Sequence, residues 1–426
     1  MVDQPAPEGP SEPKEHAQIQ LILDEFGGDV AVDPPNWRDT PDGGRYLYRT
    51  GHLLVRDRDL PRVREIYADP RDWSPDNGIN GLTRYTPPTG FSFPDNEPAG
   101  NRGLAPTLRH VAYVDWMLGK HVATPDHLFF VTGVSPCPGD EPHGVAVDEP
   151  PLPPVSTDAC DGEGVKIVVV DVGWSDNPAP WLKGVTGDLE VAYDAKGNIK
   201  PYAGHGTFIA GVIKCIAPKA EVVVKGVFTR AGAAWESDLV PKLDEALLES
   251  PDIISLSAGT QTRELLSSMG FDVWFEERLS KIKGLLLVCA AGNHNTRDPF
   301  FPAASPETLS VGALDASGQR RAPYSNFGHW VDVFAPGTDL VNAFLEGTYV
   351  CDEPPNKGEV RKFTGRARWS GTSFSTPLVT GLVAARMSST GENAREAADA
   401  LLRFARTQAI HGLGAVIYPN QACGCP

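Results

Sequence analysis

Val165-Lys-Ile-Val-Val-Val-Asp171-Val-Gly173 is an apolar run that ends on a carboxylate and a glycine. Consecutive Val and Ile residues without polar alternation suit a strand covered on both faces, because a strand with one wet face alternates. Similar runs recur at 221–227, 252–257, 284–291 and 309–313, and helical periods lie between them, for instance at 237–249 and 271–282. Apolar strands alternating with helices predict an α/β fold, a doubly wound parallel sheet with helices on both faces. In such sheets binding and catalysis gather at the carboxyl ends of the strands, and Asp171 stands at one of them.

Working outward, residues 134–163 are rich in Pro, Asp, Glu and Gly and have no apolar period, so they read as a linker. Before them, 16–133 reads as a small N-terminal α/β domain. It has a strand at 51–56 and a helix capped by Asp57 or Asp59, with Pro61 in its first turn and Leu60, Val63 and Tyr67 on one face. A long loop over 71–107 follows, then a second helix carrying Leu108, Val111, Val114 and Leu118, then a strand at 127–131. Residues 1–15 read as a mobile tail, and 164–426 as the main domain.

Bulk properties narrow the function. The 426 residues carry a net charge of −17, which argues against a nucleic-acid partner, because phosphate contacts need clustered Lys and Arg. No apolar run approaches the length of a membrane span, and the opening 1–13 has neither a basic start nor an apolar stretch, so a cytoplasmic location is expected. An odd count of seven cysteines fits reduced thiols. Cys215 and Cys289 sit in apolar segments as core, and Cys423-Gly-Cys425 has the wrong spacing for a zinc knuckle or a redox pair.

Three further segments carry chemistry. Gly204-His205-Gly206-Thr207 opens an apolar helix-like stretch; a lone His is usually structural, but flanking glycines let backbone approach its ring. Ser370-Gly371-Thr372-Ser373-Phe374-Ser375-Thr376-Pro377 turns into another apolar stretch, and it reads either as a Ser/Thr-rich helix cap or as a hydroxyl presented where free N–H groups favour negative charge. Val288-Cys-Ala-Ala-Gly292-Asn293 ends a strand on a side-chain amide suited to an oxyanion.

Together, and in the order Asp, His, Ser, these segments resemble the subtilisin family of serine proteases over about 164–410. Ala217-Pro218, Ser255-Leu-Ser-Ala-Gly259, Phe301-Pro302-Ala303, Tyr324-Ser-Asn-Phe-Gly328 and Val333-Phe-Ala-Pro-Gly337 extend the likeness. The resemblance implies a polypeptide substrate and covalent acyl transfer, with Ser373 as nucleophile, His205 as base and acid, Asp171 as its orienter and Asn293 in the oxyanion hole. It implies that Ser255, Leu256, Ser257, Ala258 and Gly259 pair with extended substrate, and that Ala290, Ala291 and Gly292 wall the primary specificity pocket. It also implies an N-terminal domain that packs on the catalytic one, either as a removable propeptide or as a retained accessory.

Departures from the family pattern are informative. Val172 replaces the usual Ser or Thr that supports the catalytic carboxylate, and Phe374-Ser375 replaces Met-Ala. The calcium-holding loop usually found after the catalytic His is absent, so no cofactor is expected and no main calcium site; Asp188, Asp194 and Asn198 could ligate a cation, but they read first as a solvated acidic loop. Besides a general endopeptidase, two functions stay open: a maturation peptidase for one precursor, and an inactive subtilisin-fold binding protein. An esterase is disfavoured by motif order.

Overall fold

The computed structural model describes residues 14–40, 44–71, 81–131, 141–158 and 161–419. Most of the expected tail, and the expectations for Cys423 and Cys425, lie outside these residues.

The N-terminal module runs α1 (Lys14–Phe26), β1 (Val30–Asp33), β2 (Tyr46–Arg56), α2 (Leu60–Ile66), β3 (Leu82–Tyr85), α3 (Pro106–Leu118) and β4 (Ala123–Val131). The two expected strands are longer than the sequence suggested, and β3 interrupts the stretch read as a loop by pairing with β2. Helix α1 had no sequence forecast. Its Ile19, Ile22 and Phe26 pack on Leu128 and Phe130 of β4, so burial against a distant strand decides it.

The main domain continues through β5 (His143–Gly144), β6 (Lys166–Asp171), β7 (Val185–Gly187), β8 (Asn198–Ile199), α4 (His205–Ile216), β9 (Glu221–Gly226), β10 (Ala233–Trp235), α5 (Glu236–Leu247), β11 (Ile253–Leu256) and β12 (Ala258–Gly259). Then come α6 (Met269–Glu277), β13 (Leu286–Ala290), β14 (Thr308–Leu314), β15 (Val333–Pro336), β16 (Leu340–Val350), β17 (Val360–Trp369), α7 (Thr372–Thr390) and α8 (Ala394–Thr407).

A seven-stranded sheet in the order β15-β14-β13-β11-β6-β9-β7 forms the centre, and every pair in it is parallel. Successive residues of β6 serve opposite faces, which is why the run had to be apolar throughout. Ile167 and Val169 meet Phe208 and Val212 of α4 and Leu378 and Leu382 of α7 in one core. Val168 and Val170 meet Leu239 and Leu243 of α5 and Trp274 of α6 in the other. Each fully buried Val or Leu contributes about 1.5–3 kcal/mol.

Two pairings reach beyond this plan. Strand β4 lies antiparallel between β10 and β12, with Phe130 opposite both Ala233 and Gly259, so the N-terminal module packs directly on the main domain. The stretch read as linker joins the main domain too: β5 pairs with β17, and Leu152 pairs with Val341 of β16. Proline-rich composition hid this, because the partner hairpin lies about 200 residues away and has no local signature.

Candidate active site

Asp171 is the last residue of β6, and its two carboxylate oxygens each lie 2.9 Å from His205 Nδ1. The Val172 N–H donates to Oδ1 at 2.8 Å, so a backbone amide supports the carboxylate where the family pattern places a hydroxyl. His205 is the first residue of α4. Gly206 must lack a side chain, because a Cβ there would strike the Gly173 carbonyl oxygen and come within 3.2 Å of Asp171 Oδ1. The imidazole is fully buried, and Nε2 has no hydrogen-bond partner among the described residues. That ring is held by Trp369, centroid 5.5 Å away and edge-on, and by Phe374 at 5.4 Å. Phe374 packs in turn on Phe208 at 4.5 Å, so the residue that departs from the family pattern builds an aromatic wall behind the histidine.

Ser373 is the second residue of α7, where unpaired amides and the helix dipole favour an oxyanion. Ser257 Oγ donates to the Ser373 carbonyl at 3.0 Å, which ties this turn to the strand after β11. Asn293 Oδ1 accepts from both the N–H and the hydroxyl of Thr372, each at 2.9 Å. The Gly292 N–H donates to that same hydroxyl at 3.1 Å. These bonds fix which end of the Asn293 amide accepts and which donates. Asn326 braces the loop, donating to the Ala291 carbonyl at 2.8 Å and accepting from the His294 N–H at 2.9 Å, which gives the Tyr324–Gly328 motif its purpose. Replacing Asn293 by Ala is expected to lower kcat by about 10²–10³ with little change in KM, a range taken from a subtilisin. Steady-state kinetics on one peptide substrate checks this.

The residues read as substrate-binding divide. Ala258 and Gly259 lie on an edge outside the central sheet, the one β4 pairs with. Ser255 and Leu256 do not, because β11 is hydrogen-bonded to β6 and β13 on both sides and has no edge to offer. Ser257 sits between, with its hydroxyl committed to Ser373. Ala290 ends β13, and Ala291 and Gly292 lead from it to Asn293.

Sequence reasoning missed Glu190, because no motif surrounds it. Its carboxylate accepts from the Gly204 N–H at 2.9 Å and from the Ser175 hydroxyl at 2.9 Å. It thereby ties the loop after Asp171 to the residue before His205, and a second tie runs from the Ser175 N–H to Thr207 Oγ1 at 2.8 Å. Burial, opposed by those hydrogen bonds and assisted by the Asp171 charge, pushes the Glu190 carboxyl up to about 7. The folded chain thus holds this proton more tightly than the unfolded one. Stability contributed by the neutral form is complete below the ordinary Glu range and is lost as pH rises through about 7. Relative to wild type, Glu190→Gln is therefore expected to gain melting temperature between pH 5 and pH 8. A difference that stays constant with pH would contradict the shift.

The acidic loop is otherwise occupied. Asp194 accepts from the N–H groups of Lys196 and Asn198, both at 2.8 Å, and Asp188 Oδ2 accepts from the Gly226 N–H at 3.0 Å. Among the described residues no three His, Cys, Asp or Glu side chains converge as metal ligands, and no helix is long and apolar enough to cross a membrane.

Comparison with known proteins places this geometry. The chain is 29% identical over 243 residues to an intracellular serine protease of Paenibacillus polymyxa, covering 52% of this chain and 66% of that one. It is 31% identical over 245 residues to a thermophilic serine proteinase of Bacillus sp. (strain AK1), covering 54% and 53%. The chain therefore matches between about half and two thirds of the length of these relatives. The crystal structure of fervidolysin from Fervidobacterium pennivorans shares the fold at TM-score 0.56 and 18% identity, over 89% of this chain and 61% of that one. The sequence model of the subtilase family matches residues 162–413, more than half of the chain, and the chain belongs to that family.

Proposed function

We propose that the chain is a serine endopeptidase that cleaves peptide bonds through an acyl-enzyme on Ser373. The observation that carries this reading is the buried His205, with Nδ1 on both Asp171 oxygens and Nε2 unpaired among the described residues. A neutral imidazole with its Nδ1 proton on a carboxylate has Nε2 free to accept a hydroxyl proton. Ser373 Oγ would attack the substrate carbonyl while its proton passes to Nε2. The carbonyl oxygen would gain negative charge facing the Asn293 amide and the α7 N-terminus. Collapse would break the C–N bond, with His205 returning the proton to the leaving amine, and water would then hydrolyse the ester by the same route. Mass spectrometry of a denatured protein incubated with the chain should show internal cuts. A folded chain that makes none, with its N-terminal module gone, favours the binding-protein reading.

The N-terminal module fits a cleft-occupying prosegment. Strand β4 takes the place an extended substrate would take, pairing with Ala258 and Gly259 on one side and β10 on the other, and the Val131 N–H donates to the Gly232 carbonyl at 2.9 Å. Asp126 of β4 accepts from the Ser237 N–H at 3.0 Å and its hydroxyl at 2.7 Å, capping α5 from outside. The segment from Glu141 onward belongs with the catalytic unit, since Tyr349 donates to the Glu141 carboxylate at 2.8 Å and Arg361 to the Glu141 and Pro142 carbonyls. N-terminal sequencing of mature protein is therefore expected to give a start between residues 132 and 141, ahead of the boundary near 160 that composition suggested. An intact Met1 or Val2 in active protein would instead indicate a retained accessory domain.

An intracellular setting is part of the proposal. Cys215, Cys289 and Cys351 are buried free thiols, as in a reducing compartment, and one relative is itself named an intracellular serine protease.

A further inference from the structure

The stretch read as pairing with substrate and the stretch read as a wall of the primary specificity pocket each present a glycine, Gly259 and Gly292, and one side chain lies between them. Phe300 Cδ1 is 2.8 Å from where a Cβ on Gly259 would stand and 3.0 Å from where one on Gly292 would stand. The same edge of one ring therefore touches both stretches, and the absent Cβ atoms are what make room for it. Phe300 is fully buried. Its backbone is fixed by its neighbours: Phe301 and Thr260 exchange hydrogen bonds of 2.8 and 2.9 Å, and the Ala304 N–H donates to the Phe300 carbonyl at 2.9 Å. The His294 ring closes a further side at 5.6 Å and is itself part of the wall that follows Asn293. Phe130 of β4 lies 6.3 Å away, and Phe300 shares its core cluster with residues of the N-terminal module such as Ile22, Phe26 and Leu128. If β4 leaves, the ring is still held between the two glycines and His294.

We infer that Phe300 fills the primary specificity pocket, so that the residue on the acyl side of the scissile bond must be small: Gly, Ala or Ser. This rests on the endopeptidase reading above and names its substrate class. A slot between two backbones is about one aromatic ring thick, and here the protein supplies that ring. A substrate Phe, Tyr or Leu would have to displace a close-packed buried side chain. A small side chain needs no such movement, and one methylene too many already discriminates about 10–200-fold.

Two sulfonyl fluorides test this on the full chain as purified. Methanesulfonyl fluoride offers the pocket a methyl group, and phenylmethanesulfonyl fluoride offers it a benzyl group. In each case Ser373 Oγ bonds to sulfur, and the S–F bond breaks with loss of HF. Rate constants are corrected for the intrinsic reactivity of each reagent. The methyl reagent should then modify Ser373 at least 10-fold faster, and a peptide library should show the same preference for Gly, Ala and Ser over Phe and Leu. Phe300→Ala should shift the ratio at least 10-fold toward the benzyl reagent, and Phe300→Leu should shift it less. Faster modification by the benzyl reagent in wild type, or equal cleavage after Phe and Ala, overturns the inference while the peptidase reading stands. So does a Phe300→Ala chain that reacts with an unchanged ratio. If neither reagent modifies Ser373 in folded protein from which the N-terminal module has been cleaved, the peptidase reading fails and this inference falls with it. The wild-type comparison decides even where the Ala variant does not fold.

Discussion

Replacing Ser373 by Ala is expected to lower kcat for peptide hydrolysis by about 10⁶, the loss recorded for this change in a subtilisin. The structure gives the reason for so large an effect. Few other groups in the cleft could take over as nucleophile. The Ser257 hydroxyl is spent on the Ser373 carbonyl, Thr372 Oγ1 donates to Asn293, and Ser375 Oγ donates to the Thr372 carbonyl at 3.1 Å. Residual turnover should come from Asn293 and strand binding alone. The fold should survive, because the α7 packing on the sheet runs through Leu378, Val379 and Leu382, not through the hydroxyl. Activity on one peptide, beside a melting curve, separates chemistry from folding. A variant with a wild-type melt and more than about 1% of wild-type activity would contradict the assignment, since 1% leaves only about 2.7 kcal/mol of barrier to the lost group.

The second large effect is expected at Asp171. Asn is nearly the same shape, yet its two ends differ. The Val172 N–H requires an acceptor at Oδ1, and both carboxylate oxygens touch His205 Nδ1. With the amide oxygen kept for Val172, its NH₂ faces Nδ1, and two donors cannot share that contact. The imidazole proton then moves to Nε2, where it blocks acceptance of the serine proton. A loss of about 10⁴ in kcat near neutral pH follows, as for the analogous change in another serine protease. Steady-state kinetics read it. Glu190→Gln provides the contrast, because Gln can still accept from the Gly204 N–H and does not touch His205 Nδ1 in the observed hydrogen bonding. If Asp171→Asn cost no more than Glu190→Gln, Asp171 would not be the orienting group.

The acid end of the site also shows what a sequence can mislead about. Val172 suggested a poorly supported carboxylate. In the structure the support comes from the Val172 backbone N–H, which any residue type except proline supplies. Val172 itself is buried in the α5–α6 core, where Val170 and Leu256 also pack, so an apolar side chain suits the place.

Central strands were legible because burial on two faces leaves an unmistakable pattern, and 165–170 stands one residue from the observed β6. The motifs around Asp171, His205 and Ser373 stood out because glycines and small residues surround them. What stayed hidden depends on partners far along the chain. The β16–β17 hairpin mixes buried Phe363 and Ala367 with exposed Lys362 and Val360, a pattern that short windows read poorly. β5 acquires its meaning only by pairing with β17, and α1 only by covering β4. Ser255 and Leu256 look like cleft residues from the motif, but their neighbours β6 and β13 close both edges. Glu190 lies in unremarkable sequence, and Phe300 lies just before the Phe301-Pro302-Ala303 motif without being part of it. Their places come from contacts with Gly259, Gly292 and Gly204, which no local pattern announces.

The most direct test of the account is to treat the folded chain with a fluorophosphonate and map the adduct by mass spectrometry. One phosphonylated residue, Ser373, is expected, with labelling lost in Ser373→Ala and in protein denatured beforehand. An unlabelled Ser373 in folded protein from which the N-terminal module has been cleaved, or an adduct on a different serine, would contradict it.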